Sequence, residues 1–301
     1  MIFDALVAPF AANDFLAHAL AAGLLVAVAC GIVGTFVVLR GLAFIGDALA
    51  HGVLPGVAVA MLLGLPGMLG AAAGAAAMIA GIGLITRRSR LSGDTAIGLL
   101  FVGMLALGVA IVSRSAAFSG DLVRILFGEI LGVTRTEILI ELLATTAIVA
   151  VVLVCRRPFL LLCFDREQAD TSGFSSRFFH GVMLALIALS VVVSFRIVGT
   201  LLVFGMLIAP AATAALFTRR IGTMIALAAV IGAASVYAGL LVSYHANVGA
   251  GAAITLVATG CFLAALIVRR PRAQVQRRVV APGDRPASVP GSSAARQGMG
   301  T

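Results

Sequence analysis

The sequence predicts an all-α protein, a polytopic bundle of eight or nine membrane-spanning helices. Three observations carry this reading. Of the 301 residues, 61% are hydrophobic and 11% charged, with a mean hydropathy of +1.16, more apolar surface than a soluble core can use. The apolar residues gather into runs of about 20, the length a helix needs to cross the hydrocarbon layer. These runs are continuous, whereas the strands of a membrane β-barrel alternate apolar and polar residues.

In chain order the runs cover residues 15–39, 43–64, 67–85, 96–112, 136–154, 181–195, 198–217, 221–243 and 251–268. Taken singly they give nine spans, or eight once short or tilted pieces are merged. The run 125–133 is too short to cross and reads as interfacial or re-entrant. Arginines punctuate the pattern: Arg40, Arg87/Arg88/Arg90, Arg156/Arg157, Arg219/Arg220 and Arg269/Arg270/Arg272 each close a run. By the positive-inside rule those alternate connections are cytoplasmic, so the N-terminus lies outside and the C-terminus inside. The discordant connection is 113–135, expected outside yet carrying three Arg, partly offset by Asp121 and Glu129. Pro55 and Pro210 imply kinked or broken helices. The 34 glycines, with a stretch at 70–83 that is nearly all Ala and Gly, favour close helix contact, because lipid gives no hydrophobic reward for association.

The organisation expected is an extracytoplasmic segment over residues 1–14, a transmembrane domain over 15–268, and a disordered basic cytoplasmic tail over 269–301. The tail holds seven Arg against one Asp and so supplies most of the net charge of +9. A basic end beside anionic lipid explains it; with no aromatic or motif support, it does not read as nucleic-acid binding. Nothing resembles a cleavable signal peptide. Every basic residue is Arg, and the chain has no Lys. That excludes a P-loop and a Schiff-base enzyme, so any ATP used must sit on another polypeptide. The four cysteines (Cys30, Cys155, Cys163, Cys261) are scattered and carry no disulfide or zinc pattern.

Two segments carry chemistry. Asp47 and His51 stand four residues apart, on one helix face, where they can grip a cation together. Ionisable groups cost roughly 2.5–3.5 kcal/mol each at the bilayer centre and usually mark a pathway; an interfacial cap paired with Arg40 is the plainer alternative. The connection 156–179 contains Phe164-Asp165-Arg166-Glu167-Gln168-Ala169-Asp170-Thr171-Ser172-Gly173. It reads as one short helix with acids in its first turn and Gly173 as its C-cap, a knob on which a soluble partner can dock. His18 and His180 fall at interfaces, and His245 on an outer loop is a candidate entry ligand.

Over residues 9–268 the chain resembles the permease subunits of bacterial ABC-type importers for zinc, manganese or iron(II). Gly46-Asp47-Ala-Leu-Ala-His51-Gly-Val-Leu-Pro55-Gly56 is similar to the family's Gly-Asp-Ala-x-x-His-x-x-x-Pro-Gly signature. Ser92-Gly-Asp94-Thr-Ala-Ile-Gly98, Leu126-Phe127-Gly128-Glu129, Val198-Gly199 with Ala209-Pro210-Ala211-Ala212, and the 164–173 loop resemble four further family segments in the same order. The resemblance implies a type II ABC importer fold in the bacterial cytoplasmic (inner) membrane. It implies a homodimer on two ABC ATPases that carry the ATP, with the ion path at the dimer interface faced by Asp47 and His51. It implies a periplasmic protein or lipoprotein that delivers Zn²⁺ or Mn²⁺, and no cofactor bound by this chain. It further implies that the ATPase docks on Asp165, Arg166, Glu167 and Gly173. Two departures stand out: Asn247 replaces an acid near the last span, where His245 can substitute, and Arg166 replaces a docking-loop Pro. A self-sufficient secondary transporter is the reading from another class. Its expected mid-membrane acids and repeat symmetry are not evident, since the acids gather in connections.

Overall fold

The computed structural model describes residues 9–10, 12–89, 92–113, 128–164 and 166–279, and it divides into two compact units, 1–266 and 267–301. The helices are α1 (Asp14–Leu39), α2 (Ala43–Leu62), α3 (Gly67–Arg88), α4 (Gly93–Ser113), α5 (Arg135–Val154), α6 (Arg156–Phe164), α7 (Arg166–Thr171), α8 (Ser176–Phe217), α9 (Ile221–Ala246) and α10 (Ala250–Val279), with a 3₁₀ turn at Ile130–Gly132. Among the described residues there is no strand. Eight helical stretches are long and apolar enough to cross a membrane, so the expected all-α membrane bundle is what folds. The described residues of the second unit, 267–279, are helical, so helix continues past Pro271 where a disordered tail was expected to begin. Residues 280–301 lie outside the described set.

The seventh apolar run, 198–217, becomes the shorter helix Leu202–Phe217, about 24 Å at 1.5 Å per residue. It is the second arm of α8, separated from the first by Gly199, whose φ of 75° and ψ of 163° are not helical. Side-chain neighbours show what this break does. Arg40 Nη1, at the end of α1, lies 2.9 Å from His180 Nδ1, and Cys30 Sγ lies 3.7 Å from Ser190 Oγ. The first arm is therefore antiparallel to α1. Beyond Gly199 the order reverses: Gly34 packs on the Leu207 backbone, and Val38 and Leu39 pack with Ala211, Ala214 and Ala215. The second arm thus returns to the arginine-rich end, keeping the alternation that the Arg clusters require. Only glycine accepts Gly199's backbone region without strain.

The centre of the bundle is α1, α2 and the first arm of α8, buried over most of their length; α3, α4, α5, α9 and α10 bury a third or less. Small residues set the spacing, as the Gly and Ala content predicts. At Gly34 a Cβ would overlap the Leu207 carbonyl, so no other residue allows α1 and α8 this approach. At the other end, the segment 128–133 tucks inward. Ile130 and Val133 are buried, and Gly128 lies on the Val198–Gly199 backbone. α5 then starts on a capping box in which Thr134 and Glu137 satisfy each other's backbone N–H.

One acid breaks the expectation that acids stay in the connections. Glu141 sits inside α5 at 1% exposure, and its Oε1 accepts a hydrogen bond from Ser194 Oγ at 3.0 Å. Its Oε2 has no partner. The bond ties α5 to α8 deep in the bundle. Its signal is weak in the sequence because a single Glu scarcely lowers the hydropathy of a 20-residue run.

Candidate metal site

The Asp47–His51 pair rests on the packing of α2. Residues 45, 46, 48–50 and 52–55 are all buried, and Asp47 and His51 are the only partly open positions between Ile45 and Pro55. With Phe44, which is exposed, they share one stripe of the helix at i, i+3 and i+7. Behind the stripe, Gly46 meets Leu207 and Phe204 from the returning arm of α8. The kink at Gly199 therefore builds the wall against which the site helix stands.

His51 Nε2 lies 3.5 Å from Asp47 Oδ1, so the spacing read from sequence does bring the two together. Two donors each about 2.1 Å from one ion lie roughly 3.0–3.5 Å apart in octahedral or tetrahedral geometry, so this bite fits a divalent transition metal. The ring of His51 packs edge-on to Phe101 of α4, with centroids 5.2 Å apart, and its Nδ1 is buried without a hydrogen-bond partner. Among the described residues no group of three His, Cys, Asp or Glu could hold a metal. One chain supplies two donors. Arg40 reaches away to α8, where it bonds His180 and approaches Met183 Sδ at 3.8 Å.

His245 is at the opposite end of the bundle. Its Nδ1 donates to Leu241 O at 2.9 Å, and the following Asn247 ends α9 in a left-handed conformation. The structure does not bring it to Asp47 and His51. The 156–179 connection forms two short helices where one was expected. α7 ends at the predicted Gly173 cap (φ 83°), and Asp170 caps α8 by accepting from Ser176 N and Oγ at 2.8 and 2.9 Å. Arg166 and Glu167 lie on α7, and Asp165 is outside the described residues. The unanticipated α6 buries Phe159 and Leu162, and Phe159 packs edge-on to Phe36 and Phe179. These contacts bind the knob to the ends of α1 and α8. The signal was present as Phe159 and Leu162 at helical spacing. Burial pushes the Cys163 thiol on α6 above its usual range, against a smaller downward pull from Arg40.

The model of the ABC 3 transport family matches residues 12–269. The chain belongs to that family. It is 39% identical over 253 residues to the manganese transport system membrane protein MntC of Listeria innocua, covering 84% of this chain and 90% of that one. It is 34% identical to the chelated iron transport system membrane protein YfeD of Yersinia pestis, covering 89% of each. The solved structure of PsaBC from Streptococcus pneumoniae in complex with Fab superposes with a TM-score of 0.83 at 34% identity, over 92% of this chain and all of that one. Membership and eight apolar helices make this chain a multi-pass ABC permease of the bacterial cytoplasmic membrane. Of the family segments singled out, the one from Gly46 to Gly56 lies on α2, and the arm of α8 that follows Gly199 packs on it at Gly46.

Proposed function

We propose that this ABC 3 permease carries Mn²⁺ through the membrane, with Asp47 and His51 of two copies forming a four-donor transit site on the two-fold axis. The observation that carries this is the 3.5 Å pair on an otherwise sealed face of α2, which offers half a coordination shell and opens off the chain. Carboxylate and imidazole suit Mn²⁺, and thiolate, which would favour softer ions, is absent from the pair. The manganese and iron permeases among the relatives point the same way. Zn²⁺ takes the same donors more tightly and therefore blocks the path rather than using it well.

The buried, unpartnered His51 Nδ1 separates this pair from a resident metal site, where that nitrogen is normally held by a carboxylate or carbonyl. Ligation through Nε2 places the ring proton on Nδ1 with nothing to accept it, which costs about 1–3 kcal/mol. The ion is thereby held loosely enough to leave, as a transit site demands. The ATP is hydrolysed on a separate ABC ATPase that docks on α7 around Arg166, Glu167 and Gly173, next to Asp165. An extracytoplasmic metal-binding protein delivers the ion at the other end, where His245 lies.

Titrating the purified full-length chain with Mn²⁺ and counting bound ion by loss of the free-ion electron paramagnetic resonance signal tests this reading. One Mn²⁺ per two chains is expected, with affinity falling as pH falls, because a ligating imidazole must be neutral. One ion per chain, or binding indifferent to acid, contradicts it.

A further inference from the structure

A groove of about 790 Å³ opens at the arginine-rich end between α2, α3, α4 and the start of α8. Its volume lies within the roughly 300–1,000 Å³ of pockets that hold small molecules. The walls are Ile45, Ile79, Ile82, Ile97 and Leu184, and the rim carries Arg87, Arg177 and His180. From Ile79 to Arg87 along α3 is eight residues, about 12 Å. An apolar slot therefore runs inward from a cationic mouth placed where α3 ends and α8 begins. We infer that this groove binds an anionic membrane phospholipid, its phosphate between Arg87 and Arg177 and an acyl chain along the isoleucine wall.

Charge and position select that occupant. Arg87 and Arg177 are exposed and make no ion pair among the described residues, and no carboxylate lines the groove. The nearest acids by sequence are Asp170 and Asp94. Asp170 is engaged by Ser176 N and Oγ, which removes those donors from the ligand, and Asp94 starts α4 beside Gly93. The guanidinium groups are thus the anchors. His180 Nδ1 accepts from Arg40, a donor only, so the neutral ring carries its proton on Nε2. Arginines closing a cytoplasmic-side pocket between membrane helices are suited to lipid headgroups. The groove is also separate from the ion site: Ile45 faces it, and Asp47 is turned about 200° further round α2.

Native mass spectrometry of the full-length chain in detergent tests this, with phosphatidylglycerol and phosphatidylcholine of equal chain length supplied together. Wild type is expected to retain phosphatidylglycerol at least fivefold over phosphatidylcholine, and millimolar inorganic phosphate does not displace it. Arg87→Gln with Arg177→Gln removes the preference. Gly83 lines the groove, and a Cβ there meets nothing within 4 Å. Gly83→Leu therefore fills the slot without disturbing the bundle, and bound lipid falls severalfold with both arginines intact. Retention without headgroup preference, displacement by phosphate alone, or retention unchanged in Gly83→Leu overturns the inference. So does a groove that holds the second copy or the ATPase and no lipid.

Discussion

Asp47→Ala and His51→Ala are each expected to reduce the proposed ATP-driven manganese uptake by about 100-fold or more, with insertion, dimerisation and ATPase binding expected to match wild type. The size follows from the site's economy. Each chain offers two donors, and the described residues hold no third nearby, so one substitution per chain halves the shell. Loss of a mere supporting residue around a metal already costs roughly 10–100-fold, and loss of a ligand costs at least the upper part of that range. The fold tolerates both changes because neither side chain fills the core. Each is partly open, and the neighbours that seal α2 are Ala48, Leu49, Ala50 and Val53. Uptake by vesicles containing assembled variant transporter, measured with radioactive manganese, decides this; near-normal uptake in either variant removes the pair from the path.

Gly199→Val is expected to have the second largest effect. The residue sits at φ 75°, ψ 163°, a region that costs of order 1–3 kcal/mol for a residue with a side chain, and more for a β-branched one. The strain falls where α8 turns back, so relief swings the returning arm and moves Leu207 and Phe204 away from Gly46, the residue before Asp47. Gly128→Ala attacks the same turn from the other side, because its Cβ would overlap the Val198–Gly199 backbone. Both variants are expected to melt several degrees below wild type in detergent and to lose uptake with the Asp47–His51 pair unaltered in sequence. A Gly199→Val protein with wild-type melting and transport shows that the reversal is not built on this backbone conformation.

Much of this architecture could be read before the fold. Apolar runs separated by Arg clusters located the helices, and the hydropathy gap near residues 196–197 fell within three residues of the break at Gly199. The four-residue spacing of Asp47 and His51 put them on one face because helical geometry leaves little choice. The remainder depends on contacts between segments distant in the chain. Nothing local to Arg40 indicates that it bonds His180, 140 residues away. Glu141 looked like one polar residue in an apolar run until Ser194 of another helix was found against it. α6 was hidden because Arg156 and Arg157 read as the end of a span, although the chain continues as the helix Arg156–Phe164 and buries Phe159 and Leu162.

The sequence has no Lys and so holds no P-loop, and the proposed reading puts the ATP on a partner. The direct measurement is manganese uptake into proteoliposomes containing the chain alone, or the chain with its ATPase and metal-loaded binding protein. Uptake that requires the ATPase and ATP hydrolysis, and that collapses in Asp47→Ala, is the predicted result. Manganese movement by the lone chain down a proton or sodium gradient would contradict it.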